Sequence, residues 1–182
     1  MNVLLDILGA TLIGGIVFMA MMNLNIYTSQ VKYSSDSELT LQRNAKTLAE
    51  IINNDLRKVG YRHTGAAIIS AQEKFFQFYA DIDSNGTSDI ISYSLGDTSD
   101  ALATTNPHDK VLIRTVNNIS DGGPSLGITD LKFRYYNTTG QETAALDSIK
   151  YIKSEIWIET TDMVDGQYPF TYWEMTINPR NL

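Results

Sequence analysis

Residues 1–24 read MNVLLDILGATLIGGIVFMAMMNL, and the fold follows from how this stretch is read. From Ile7 to Met22 there is no charged side chain, and the one acid, Asp6, lies close to the start. At about 1.5 Å per helical residue, Val3 to Leu24 would span roughly 33 Å, enough to cross a hydrocarbon layer of about 30 Å. A secretory signal needs a basic flank and a small-residue cleavage site. Here no Lys or Arg precedes the apolar run, and Met22-Asn23-Leu24-Asn25 is a poor cleavage site. The run therefore reads as a retained helix, with a short leader already removed upstream. No other segment is this apolar, so the remainder reads as a water-soluble domain attached to one apolar helix.

The helical signal continues past Leu24. Residues 25–38 are polar but hold no Pro or Gly. Leu41, Ala45, Leu48, Ile52, Leu56 and Val59 then recur at spacings of four and three, one stripe of an amphipathic helix. Gly60 suits a C-cap, and Arg57 and Lys58 suit the last turn, where the helix dipole favours cations. The expectation is one helix of about 55–58 residues, loosened around Gly14-Gly15 and Ser34-Ser35. Residues 1–24 would form an apolar half, 25–60 an amphipathic half, and 61–182 a β-rich domain.

After Gly60 the pattern changes to period two. Phe76, Phe78 and Ala80, the turn Ser84-Asn85-Gly86, and then Ile91, Tyr93 and Leu95 predict a hairpin over 75–95. Residues 96–108 read as a polar loop, 110–116 as a strand, and 117–127 as a Gly/Ser/Pro-rich loop. Strand 128–136 puts Leu131, Phe133 and Tyr135 on one face. Asn137 to Gln141 turns the chain. Strand 149–160 puts Ile152, Ile156 and Ile158 opposite Tyr151 and Trp157. Asp165-Gly166 turns into a last strand, 170–177, with Trp173, Met175 and Ile177 together. The sum is α+β: a long N-terminal helix packed on an antiparallel β-sheet of about six strands.

Composition narrows function. The net charge is −7, and the acids concentrate beyond residue 63, which argues against nucleic-acid binding, since phosphates need a basic surface. Cysteine is absent, so disulfides and thiolate chemistry are excluded. There is no nucleophile motif, phosphate loop or His-rich pattern. The two histidines, His63 and His108, read as solvated, and the chain does not read as an enzyme.

The sharpest chemical motif is Asp81-x-Asp83-x-Asn85-Gly86-Thr87-x-Asp89. Oxygen donors at alternate positions with Gly at the sixth match the start of an EF-hand-type Ca²⁺ loop. The twelfth position is Ser92 and not Glu, so the set would need water or a remote acid such as Asp97. The same residues also favour a plain hairpin turn. Gly9, Gly14 and Gly15 are either small-residue contacts between membrane helices or points where the helix loosens. Tyr33, Tyr151, Trp157 and Tyr172 read as outward aromatics. Asn85, Asn118 and Asn137 each head an Asn-x-Ser/Thr triplet.

Three stretches carry a family resemblance. Asn2-Val3-Leu4-Leu5-Asp6 with the apolar run resembles the mature start of type IV pilins and pseudopilins. Ala45 to Tyr61, AKTLAEIINNDLRKVGY, is similar to the helix end of larger minor pilins and J-type pseudopilins. Phe78 to Leu95, FYADIDSNGTSDIISYSL, resembles a hairpin of the same subgroup. The chain departs from the family in having Asp where Glu is commoner, in sixth place counted from Met1 rather than fifth, no proline near residue 22, and no C-terminal disulfide pair. The resemblance implies a pilin-like fold and a structural subunit of an extracellular pilus-like filament. Met1 would carry the ammonium that pairs with Asp6 of a neighbouring subunit, and Gly14-Gly15 would mark local melting. It implies an inner-membrane stage before assembly, with copies of itself, other pilins, the assembly machinery and a prepilin peptidase as partners. A minor pseudopilin of a secretion or competence system is the first alternative. A non-polymerising, membrane-anchored calcium-binding domain is the second.

Overall fold

The computed structural model describes residues 3–102, 104–123, 125–164 and 166–182. The proposed assembly residue Met1, and Asp165 of the expected last turn, lie outside the described residues. The chain divides into two compact units, Met1–Leu39 and Thr40–Leu182.

One helix, α1 (Val3–Leu56), runs through 54 residues. All four prolines lie beyond it, so nothing removes an intrahelical hydrogen bond. It is unbroken at Gly14-Gly15 and at Ser34-Ser35, where loosening was expected. A glycine costs only about 1 kcal/mol against alanine in a helix and, unlike proline, keeps its backbone hydrogen bond. The Thr11 and Thr28 hydroxyls bond back to the carbonyls of Leu8 (3.0 Å) and Leu24 (2.8 Å), so they add no unsatisfied polar group.

The helix stops earlier than its stripe. Arg57 and Lys58 lie past Leu56, not in the last helical turn. Short three-residue turns take over: the Lys58 amide bonds the Asp55 carbonyl, and the Tyr61 amide that of Lys58. Gly60, with φ of +75°, gives its amide to the Tyr79 carbonyl at 2.8 Å. A Cβ there would also meet Ala67 and the Asn181 backbone at 3.0 Å, so only glycine fits.

Among the described residues eight strands follow, in two antiparallel sheets, where about six in one sheet were expected. The first sheet is a meander of β1 (Ile68–Ala71), β2 (Phe75–Ala80), β3 (Asp89–Leu95), β4 (Leu112–Val116) and β5 (Ile119–Gly122). The second holds β6 (Ile128–Tyr136), β7 (Tyr151–Glu159) and β8 (Phe170–Ile177). Strand β5 lies inside the expected 117–127 loop. Asn117 and Asn118, at φ of 50° and 67°, make a two-residue turn that places Val116 opposite Ile119. The sheets are joined where the Phe133 amide bonds the Glu73 carbonyl (2.7 Å), and where Phe76 meets Phe133 and Tyr135 with ring centroids 5.6 and 5.5 Å apart.

Thr40–Leu182 has one core. The predicted stripe Leu41, Ala45, Leu48, Ile52, Leu56 and Val59 is buried there, with Phe76, Phe78, Ile91 and Tyr93 of the first sheet and Leu131, Phe133, Ile152 and Ile156 of the second. Tyr151 and Trp157 face the other way and are half-buried, as the alternation predicts. Trp173, Met175 and Ile177 do share the core face of β8, opposite Ile156, Ser154 and Ile152. Of the three only Ile177 is buried, and Trp173 stays 41% exposed.

One core residue of α1 is charged. Asp55 lies on the buried stripe, and its Oδ2 accepts the Tyr93 hydroxyl and the Arg114 Nε–H, each at 2.6 Å. Burial pulls the Arg114 guanidinium down, but the Asp55 hydrogen bond and charge outweigh it and raise it. Burial, reinforced by the Asp55 charge, pushes the Tyr93 phenol far above its usual range, so it remains a donor.

Ile52→Ala should cost about 3 kcal/mol of unfolding free energy in denaturant titrations, while Ile51→Ala, at an exposed neighbour, should cost under about 1 kcal/mol; equal losses would contradict the buried stripe. Arg114→Met leaves the Asp55 carboxylate buried without its cation and should cost about 3 kcal/mol. Adding Asp55→Leu should then recover at least half of that loss, and no recovery would show the pair is not coupled.

Candidate functional site

Two features stand apart from ordinary packing. The first is the surface of the early part of α1. Every large apolar side chain from Val3 to Leu24 is exposed within its unit, from 46% at Val17 to 81% at Leu4. The segment is long and apolar enough to cross a membrane. A soluble protein rarely leaves a continuous apolar surface of this kind uncovered. Apart from the helix's own nearby backbone and chain neighbours, Gly9, Gly14 and Gly15 have no atom within 4 Å of where a Cβ would sit, so nothing packed on them among the described residues requires their small size. Asp6 is exposed in the first turn of α1. The helix dipole favours a carboxylate at that position by about 0.3–1 kcal/mol.

The second feature is the tip of the β2–β3 hairpin. Ser84 (φ 62°) and Gly86 (φ 91°) reverse the chain. One carboxylate oxygen from each of Asp81, Asp83 and Asp89 lies within 4.8 Å of the others. The Asp81 side chain has 0% exposure; its Oδ2 takes Arg62 Nη1 at 3.1 Å and the Gly86 amide at 3.0 Å. Its Oδ1 is buried with no hydrogen-bond partner. Burial would raise this carboxyl, but the Gly86 and Arg62 hydrogen bonds and the Arg62 charge outweigh it and hold it below the usual range. Asp89 accepts from the Ile82 amide and from Asn117 Nδ2 (2.7 Å). Asp83 accepts the Asn85 amide (3.1 Å) and side-chain NH₂ (2.8 Å), and Asn85 Oδ1 in turn accepts the Thr87 amide (2.7 Å).

Asp97, suggested as a remote ligand, is engaged elsewhere: it caps the short 3-10 turn Thr98–Asp100 by accepting the Thr98 amide. His63 is half-buried where solvation was expected, while His108 is exposed. His63 stacks on Tyr79 with centroids 4.2 Å apart and has Nδ1 3.1 Å from Ser88 Oγ, bracing the acidic hairpin. His108 Nδ1 lies 2.9 Å from Glu159 Oε2. Of the four outward aromatics, Tyr33 and Tyr172 are exposed and the other two half-buried.

The sequence reading did not single out Asp109. Its side chain is fully buried, and among the described residues neither carboxylate oxygen has a partner in good hydrogen-bond geometry, the Thr104 and Ser125 hydroxyls lying near it. Burial raises its carboxyl above the usual range, and the nearby Glu159 charge adds to this against the opposing effects of Thr104, His108 and Ser125. The only sequence signal was its place beside Asn106-Pro107, which reads as an ordinary loop.

Compared with known proteins, the chain matches no family model, no curated protein and no solved structure.

A carboxyl raised on folding contributes its full stability below the unfolded value, about 3.9, and loses it as pH climbs through the folded value. Asp109→Asn should therefore raise Tm at pH 7, with the gain shrinking toward pH 4. A gain that is constant with pH would show that Asp109 does not titrate as described.

Proposed function

We propose that the chain is a structural subunit of a pilus-like extracellular filament, held in a membrane by residues 1–24 and assembled through that helix. The observation that carries this reading is α1 itself. One unbroken helix gives its first stretch no apolar partner within its unit, while its second stretch forms a wall of the domain core. A tether needs only an apolar span. A filament subunit also needs a folded domain that follows the apolar stretch on the same chain, and the second stretch of α1 supplies part of that domain's core.

In this reading helix–helix contact replaces helix–lipid contact. Hydrocarbon is as apolar as leucine, so the gain comes from close packing and polar pairing. Gly9, Gly14 and Gly15 would admit neighbouring helices closely, and Asp6 would meet the amino-terminal ammonium of the next subunit. A buried carboxylate without a partner is strongly disfavoured, so the pair would select axial register more than add stability. The dipole accounts for an acid in the first turn but not for one kept within an apolar surface. The three resembling stretches support the same reading and favour the larger minor-pilin or J-type pseudopilin subgroup. Stoichiometry separates the roles: a major subunit dominates sheared filaments, and a minor one is scarce.

Asp6→Ala should leave membrane insertion intact and abolish or greatly slow filament formation, measured by the chain recovered in the sheared extracellular fraction. Filaments from that variant in normal yield would refute the role of Asp6 in assembly.

A further inference from the structure

The acidic tip of the β2–β3 hairpin carries more negative charge than the protein around it answers. Asp81, Asp83 and Asp89 converge, and among the described residues the ion pair recorded for this cluster is Arg62 with Asp81. Lys58 lies nearby, but its ammonium goes to the Ile82 carbonyl at 2.9 Å. The decisive observation is separate from the clustering: the Asp81 side chain is wholly buried, and among the described residues no donor meets its Oδ1 in good hydrogen-bond geometry, the Asn85 amide lending only electrostatic support. A buried anionic oxygen without a partner calls for one. Oxygen-only donors suit a hard cation, not zinc or iron. Ca²⁺–oxygen distances of 2.3–2.6 Å put opposite ligands about 4.6–5.2 Å apart, and the three carboxylate oxygens fall within that diameter.

We propose that this hairpin tip binds one calcium ion, with Asp81, Asp83 and Asp89 as carboxylate ligands and the Asn85 side chain, the Thr87 carbonyl and water completing the set. Ser92 supplies no bidentate carboxylate, so affinity falls in the weak range of extracellular calcium modules, a Kd of about 10⁻⁴–10⁻³ M. The ion has a structural consequence. Arg62 and Lys58 tie the tip to the turns that follow α1, and His63 braces it through Ser88. Calcium would therefore rigidify the junction between the helix end and the first sheet. The site stands independently of the filament reading, and its failure would leave that reading untouched.

The test is calorimetric titration and thermal unfolding of the full chain in detergent micelles, with CaCl₂ and separately with MgCl₂. Wild-type protein should give a saturable heat and a Tm rise of roughly 5 °C or more at 10 mM CaCl₂, with a clearly smaller response to MgCl₂. Asp83→Asn tests the ligand set without disturbing the buried Asp81, because Asp83 is exposed and its recorded hydrogen bonds are to Asn85. It should keep the calcium-free Tm and weaken binding at least tenfold. No heat and no Tm shift in the wild type, an equal response to magnesium, or undiminished binding by Asp83→Asn would each overturn the proposal.

Discussion

The Asp55 carboxylate sits on the buried stripe of α1 and takes the Tyr93 hydroxyl and the Arg114 guanidinium on one oxygen. Apolar packing is non-directional and would tolerate some rotation of a helix on a sheet. A buried carboxylate would not, because turning it away from β3 and β4 would leave it and Arg114 without each other. The network therefore fixes which stripe faces the core. It also makes Thr40–Leu56 part of the folded domain, on the same continuous helix as the apolar first stretch.

That sharing gives the two ends of α1 different physical problems. Leu41 to Leu56 solves its burial within the chain, on both sheets. Val3 to Leu24 leaves its apolar side chains exposed within its own unit, a surface that lipid or other helices would cover. Its three glycines, its back-bonded Thr11 hydroxyl and its single acid are all compatible with either environment. Association of copies would give Asp6 and the glycines a common use, which is why we propose the filament over a simple anchor.

Periodic features were legible in the residues. The 41–59 stripe, the 75–95 hairpin and strands β6 to β8 each repeat a pattern over several residues, so single exceptions cannot hide them. What stayed hidden was local or long-range. Strand β1 has four residues, too few to show alternation. Strand β5 sits in a Gly- and Ser-rich stretch, and its signal was the Asn117-Asn118 pair, which tolerates positive φ. Asp55 stands three residues after Ile52 and so falls on the stripe, but its partners are 38 and 59 residues away. For the acidic hairpin, the spacing of the motif brought out the donors. The burial of Asp81 and the orphaned Oδ1 depend on how the tip folds back toward Arg62, which no local pattern encodes.

If Val3–Leu24 is an association surface and not a mere tether, these helices pack against one another in a filament. Electron cryomicroscopy of filaments sheared from cells that make this protein tests it most directly. The expected result is filaments containing the chain, with these helices packed against one another along the axis and residues 40–182 outside them. Absence of the chain from every sheared filament, with all of it retained in the membrane, would contradict the account.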